Sequence, residues 1–137
     1  MKNIDEYLYK YGLHDCVVEK IYVHNNLFIF CFNTGVYNLN EKGTETKKTT
    51  NCLMCLEIED LNTEKMWEHI EISKIAKNKI SEIDYTRFTE EVEKFNFEII
   101  EYYISYFGQS ILIDGYSSRN RYQIKVSEIK KIEFNFK

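Results

Sequence analysis

From Cys16 onward the chain is dominated by runs in which apolar and polar residues alternate with a period of two, and this pattern constrains the fold more than any motif. Successive side chains of an extended strand point to opposite faces, so such runs read as half-buried strands. "VVEKIYV" sets Val17, Glu19, Ile21 and Val23 on one face and Val18, Lys20, Tyr22 and His24 on the other. "HNNL" supplies a two-residue hairpin turn, because Asn tolerates the positive φ that such turns require. "LFIFCF" is nearly continuous in apolar residues and reads as a strand covered on both faces. "VYNL", "ETKKTT" and "CLMCLEIED" extend this into a meander of consecutive antiparallel strands. "MWEHIEISKI" favours a further strand through its isoleucines. "FEIIEYYISYF" places Phe97, Ile99, Tyr103 and Phe107 on one face with Glu101 and Ser105, and "GQS" turns it into "ILIDGY". "RYQIKVS" and "IKKIEFNF" follow as the last two strands.

Two segments change period. Ile4, Tyr7, Leu8 and Tyr11 fall on one face of a short helix, with Asn3 to cap it and Gly12 suited to the left-handed residue past its end. "DYTRFTEEVEKF" predicts a second helix near residues 86–95, capped by Asp84 or Thr86, with Phe88, Val92 and Phe95 along one face. The expected fold class is therefore α+β: a large, twisted, mainly antiparallel sheet, curved as part of a barrel, with these two helices. The 137 residues contain no Pro and no Gly/Ser-rich linker, so residues 1–137 read as a single domain.

Composition narrows the function classes. The net charge is −4, and residues 57–71 hold Glu57, Glu59, Asp60, Glu64, Glu68 and Glu71 against Lys65. Nucleic-acid binding requires an excess of cations to neutralise phosphates, which this balance does not supply. An acidic surface instead suits a basic protein partner, set against the plainer reading of solvated strand faces. No apolar run approaches the ~18 residues that span a bilayer. Asp5 and Glu6 interrupt the place where a signal peptide would be apolar, so a cytoplasmic protein with reduced thiols is expected.

Few residue groups carry the marks of chemistry. His14-Asp15 in "GLHDC" could form a general base oriented by a carboxylate, but neighbours in extended chain point apart, so the pair needs a tight turn. The alternative is a fold junction that satisfies backbone groups between a helix and a strand. A catalytic pair predicts that His14→Ala abolishes activity and spares stability; a junction predicts the reverse. Cys52 and Cys55 have C-x-x-C spacing without a second ligand pair, and inside a strand they face opposite sides, which favours buried free thiols. His14, His24 and His69 could meet with Glu68 or Glu71 to bind a metal, but their spacing carries no metal signature. No phosphate-cradling glycine pattern and no G-x-S-x-G occur, and nothing requires a cofactor. "GYSSRNRY" gathers Tyr116, Arg119, Arg121 and Tyr122, the residue types that anchor interfaces, in a hairpin loop, and these are the expected binding residues.

The segment "YGLHDCVVEKIYVHNNLFIFCFNTGVYNL" resembles a pattern in small bacterial proteins in which Leu-His-Asp and a small residue open a β-meander, some of them similar to immunity proteins of toxin systems. The resemblance covers about residues 11–60 and implies a cytoplasmic, non-enzymatic binding protein; with the acidic segments and Tyr-rich strands, it suggests one that acts by occluding a protein partner such as a toxin. It implies no role for His14 or Asp15. Two other classes stay open: a metal-dependent or acid/base enzyme built on His14 and Asp15, and a small-ligand binder in a sheet lined by Tyr and Phe.

Overall fold

A computed structural model describes residues 10–61, 63–105 and 109–137. The helix expected over the first eleven residues lies outside them except for its end. Here Tyr11–Gly12 (β1) is a short strand, and Gly12 pairs with Tyr37 without taking a positive φ. Tyr11 packs its ring on Phe134 and Phe136, with centroids 4.8 and 5.2 Å away.

The remaining strands are Val17–Val18 (β2), Lys20–His24 (β3), Leu27–Phe32 (β4), Tyr37–Leu39 (β5), Glu45–Lys48 (β6), Cys52–Ile58 (β7), Ile70–Ala76 (β8), Lys79–Glu82 (β9), Phe97–Ile104 (β10), Ile111–Ser117 (β11), Asn120–Val126 (β12) and Ile129–Phe136 (β13). One α-helix, Tyr85–Phe95 (α1), occurs among the described residues, together with a short 3-10 segment, Thr63–Glu68. The expected α+β class is thus corrected: the protein is mostly β, and its strands form three antiparallel sheets rather than one large one. Their orders are β1-β5-β6, β2-β10-β11-β12-β8-β9 and β13-β7-β4-β3.

The partition has local causes. The expected first strand breaks at Glu19, where β2 pairs with β10 and β3 pairs with β4 in different sheets. The break shifts the alternation by one, so Val18 and Ile21 are both in the core. The meander is likewise interrupted after β4. The hairpin β5–β6 leaves to form its own sheet, and β7 returns beside β4. Gly35 makes that departure possible: its φ is +77°, and a Cβ there would lie 2.3 Å from the Thr49 carbonyl oxygen. The true meander lies further on, where β10, β11 and β12 pair in chain order. "MWEHIEISKI" divides, with Met66 in the 3-10 segment and Ile70 opening β8.

The inward faces of the two larger sheets supply one contiguous core that includes Phe28, Phe30, Phe32, Met54 and Leu56 with Phe97, Ile113, Tyr122 and Ile124. Helix α1 closes this core. Its start is fixed by the Asp84 carboxylate accepting from the Arg87 N–H, and it buries Phe88 and Val92. Phe88 meets Phe97 and Tyr122 edge-on, with centroids 5.6 and 5.0 Å away. Phe95, expected on the same face, is half exposed beneath the Lys94 ammonium, because the helix ends there and Asn96 turns the chain with φ 66°. No described helix is long and apolar enough to cross a membrane.

Candidate functional site

The residues expected to bind lie where β11 turns into β12, but they divide between two sides of the sheet. Ser118 and Arg119 form the turn, both with positive φ (48° and 72°), as a two-residue hairpin demands. "SSRN" is therefore a tight turn rather than an open loop. Tyr122 points inward and is 1% exposed. Its hydroxyl donates to the Glu91 carboxylate, whose other oxygen accepts from the Asn120 side chain at 3.1 Å. Burial first, and then the Glu91 carboxylate, push the Tyr122 phenol well above its ordinary pKa. Tyr122 is a core residue and not a surface anchor.

Tyr116 and Arg121 face outward, opposite each other across the two strands. Arg121 donates from Nε to Asp114 Oδ1 at 2.9 Å and from Nη2 to Oδ2, a bidentate pair. The Asp114 side chain is only 7% exposed, so this carboxylate is sheltered on the outer side of the sheet and neutralised by one arginine.

Cross-strand register extends this pair into three rows on the outer face of the six-stranded sheet. One row runs Glu98, Tyr116, Arg121, Ile75 and Ile80; a second runs Glu101, Asp114, Gln123, Ser73 and Glu82; a third runs Tyr103, Leu112, Lys125 and Glu71. Tyr103 and Tyr116 are each about half exposed, and the Tyr103 hydroxyl donates to Glu101 Oε2 at 2.6 Å. Five carboxylates (Glu71, Glu82, Glu98, Glu101, Asp114) stand here against Arg121 and Lys125. A groove of about 460 Å³ crosses the third row between Tyr103, Leu112, Gln123 and Glu71. Tyr103 was expected beside Phe97. It faces out because β10 carries a bulge between Ile99 and Glu101, which reverses the alternation and turns Tyr102 and Ile104 toward the core.

His14 and Asp15 do meet. The chain makes the required tight turn, with the Cys16 N–H donating to the Leu13 carbonyl at 3.0 Å and Asp15 at φ 63°. His14 Nδ1 lies 3.3 Å from Asp15 Oδ2 and 3.7 Å from Glu45 Oε1, with both members of the pair half exposed. The turn is tied to the sheet by its backbone: the Asp15 N–H donates to the Ile99 carbonyl at 2.8 Å, and the Ile99 N–H to the Cys16 carbonyl at 2.9 Å. The positive φ expected at Gly12 therefore falls three residues later. The structural burden rests on the Asp15 backbone rather than on the His14 side chain. Asp15→Ala is expected to cost about 1 kcal/mol, the left-handed penalty, whereas Asp15→Gly restores stability and His14→Ala changes it by less than about 0.5 kcal/mol. Urea titrations of the three variants test this ordering, and a larger loss for His14→Ala would refute it.

Among the described residues, His14, His24 and His69 do not come together, and no group of three or more His, Cys, Asp or Glu could hold a metal. His69 is mostly buried beside Glu128, with Nδ1 at 3.9 Å from Oε1, beyond hydrogen-bond distance. The four cysteines are free, and Cys52 and Cys55 are both buried. Burial pushes the Cys16 thiol up to about 11, which keeps it protonated at neutral pH.

An antiparallel β protein with an acidic, tyrosine-bearing sheet face is what these features define. Set against protein-family models, curated proteins and solved structures, the chain finds no match.

Proposed function

We propose that this protein binds a basic protein partner through the outer face of its six-stranded sheet, and that it acts by occlusion, as an immunity protein occludes its toxin. The observation that carries this reading is the pairing of half-exposed Tyr103 and Tyr116 with the sheltered Asp114–Arg121 pair on a face rich in carboxylates. Tyr and Arg supply contact area and directional hydrogen bonds at low entropic cost. The surrounding carboxylates steer a cationic partner and disfavour an acidic one. The sheet holds these side chains in fixed rows, which reduces the ordering cost of association. Occlusion as the mode of action rests on the resemblance of residues 11–60 to immunity-like proteins.

The test is co-expression with the products of the neighbouring genes, read as growth rescue and as a purified complex. Replacing Tyr116 with Ala and both Glu71 and Glu98 with Lys should weaken the complex on the order of 100-fold while leaving Tm unchanged. The reading fails if no neighbouring product is neutralised, or if the triple variant binds as well as the parent.

A further inference from the structure

We propose that the cleft at one end of the four-stranded sheet, lined by Lys20, Lys137, Asn33 and Asn51, binds a small oxyanion, a carboxylate or a phosphate. The cleft lies on a different sheet from the acidic face and stands independently of the partner-binding reading. Lys20 on β3, Cys31 on β4 and Leu53 on β7 form one cross-strand row on that sheet's outer face. Asn33 follows β4, Asn51 precedes β7, and Lys137 follows β13, so three strand ends converge beside the row. The Lys137 N–H donates to the Asn51 carbonyl at 3.1 Å, which fixes the last of these to the second. The open concavity is about 290 Å³, a size suited to a small ligand.

The lining holds two ammonium groups and two side-chain amides and no carboxylate side chain, in a protein whose net charge is −4. Among the described residues neither lysine makes an ion pair; Lys20 rests over the Tyr22 ring at 5.4 Å. The nearby Glu19 carboxylate accepts from the Asn33 backbone N–H at 2.7 Å. Two lysines and two amide side chains grouped around a concavity are complementary to an anion that accepts several hydrogen bonds. The Cys31 thiol in the wall senses the surrounding charges: burial raises its pKa most, Lys20 lowers it, Glu19 and Cys55 raise it, and Lys137 lowers it.

Cys31 also provides the test, being the one partly exposed thiol among four of which the others are buried. Alkylation at Cys31 by anionic iodoacetate is compared with that by neutral iodoacetamide at constant ionic strength, followed by peptide mass. The iodoacetate-to-iodoacetamide rate ratio should be about fivefold higher in the folded protein than in urea, the enrichment two nearby lysines give at 0.1 M salt. It should fall to the unfolded ratio in the folded Lys20→Gln, Lys137→Gln double variant. Protection by inorganic phosphate but not acetate assigns a phosphate site, the converse a carboxylate site, and protection by both a general oxyanion site. Equal ratios in the folded and unfolded protein, or protection by neither anion, overturn the proposal.

Discussion

Replacing Phe88 with alanine is expected to remove about 3–5 kcal/mol of stability, the range for deleting a large aromatic ring from a packed core. The ring is fully buried, and it packs α1 edge-on against Phe97 on β10 and Tyr122 on β12. Truncation leaves a cavity between two edge-on aromatic pairs, and neither the strand-borne partners nor the capped helix can move far to fill it. The midpoint of thermal unfolding should fall by roughly 10–20 °C. Urea unfolding should show a lower midpoint with an unchanged slope, since the same surface is exposed. Phe95→Ala supplies the control on the same helix. Its ring is half exposed, so it should cost less than about 0.5 kcal/mol. Equal losses at the two positions would mean that α1 does not close the core.

The contrast between these phenylalanines marks what alternation and helical period can reveal. Both lie on one helical face by spacing, and the period identified α1 itself, with Asp84 as its cap. What the period does not contain is where the helix stops relative to the core, and Phe95 falls at that limit. The strands behave alike. Alternation located nearly every one, and the positive φ at Asn25 fulfils the turn expected between β3 and β4. Alternation says which residues share a face but not which strands are neighbours, so one sheet was expected where Glu19 and the β5–β6 hairpin separate three. It also presumes an unbroken pleat, and the bulge in β10 moved Tyr103 from the core to the outer face.

The candidate site was legible in part for the same reason. Tyr116 and Arg121 face outward, whereas Tyr122, one residue further along the strand, belongs to the core. Asp114 carries a sequence signal: a carboxylate inside the apolar run "ILIDGY" must find a cation, and Arg121 lies 7 residues on, in the strand paired with it. Glu91 carried no such signal, because its partners Asn120 and Tyr122 are supplied by a strand about thirty residues later.

The second large effect is expected at Gly115, where alanine should cost roughly 2–4 kcal/mol. The glycine has no positive φ; its role is close approach. A Cβ built there would lie 2.2 Å from the Glu98 carbonyl oxygen and 2.6 Å from Cζ of Phe97. The oxygen belongs to the paired strand and cannot swing aside, and the Phe97 ring is held by Phe88. Alanine would therefore force β10 and β11 apart next to the bulge that already bends β10. Gly115 also stands between Asp114 and Tyr116, so the same displacement would disturb the outer rows while damaging the core. The signature separates this from a simple cavity. Asp114, Tyr116 and Glu101 amides should shift in NMR spectra of the folded variant, and partner binding should weaken along with stability. Phe88→Ala, by contrast, should destabilise without changing the outer face. If Gly115→Ala folds with wild-type stability, the close crossing of Phe97 over β11 is wrong, and with it the account of how the core sets the spacing of the outer rows.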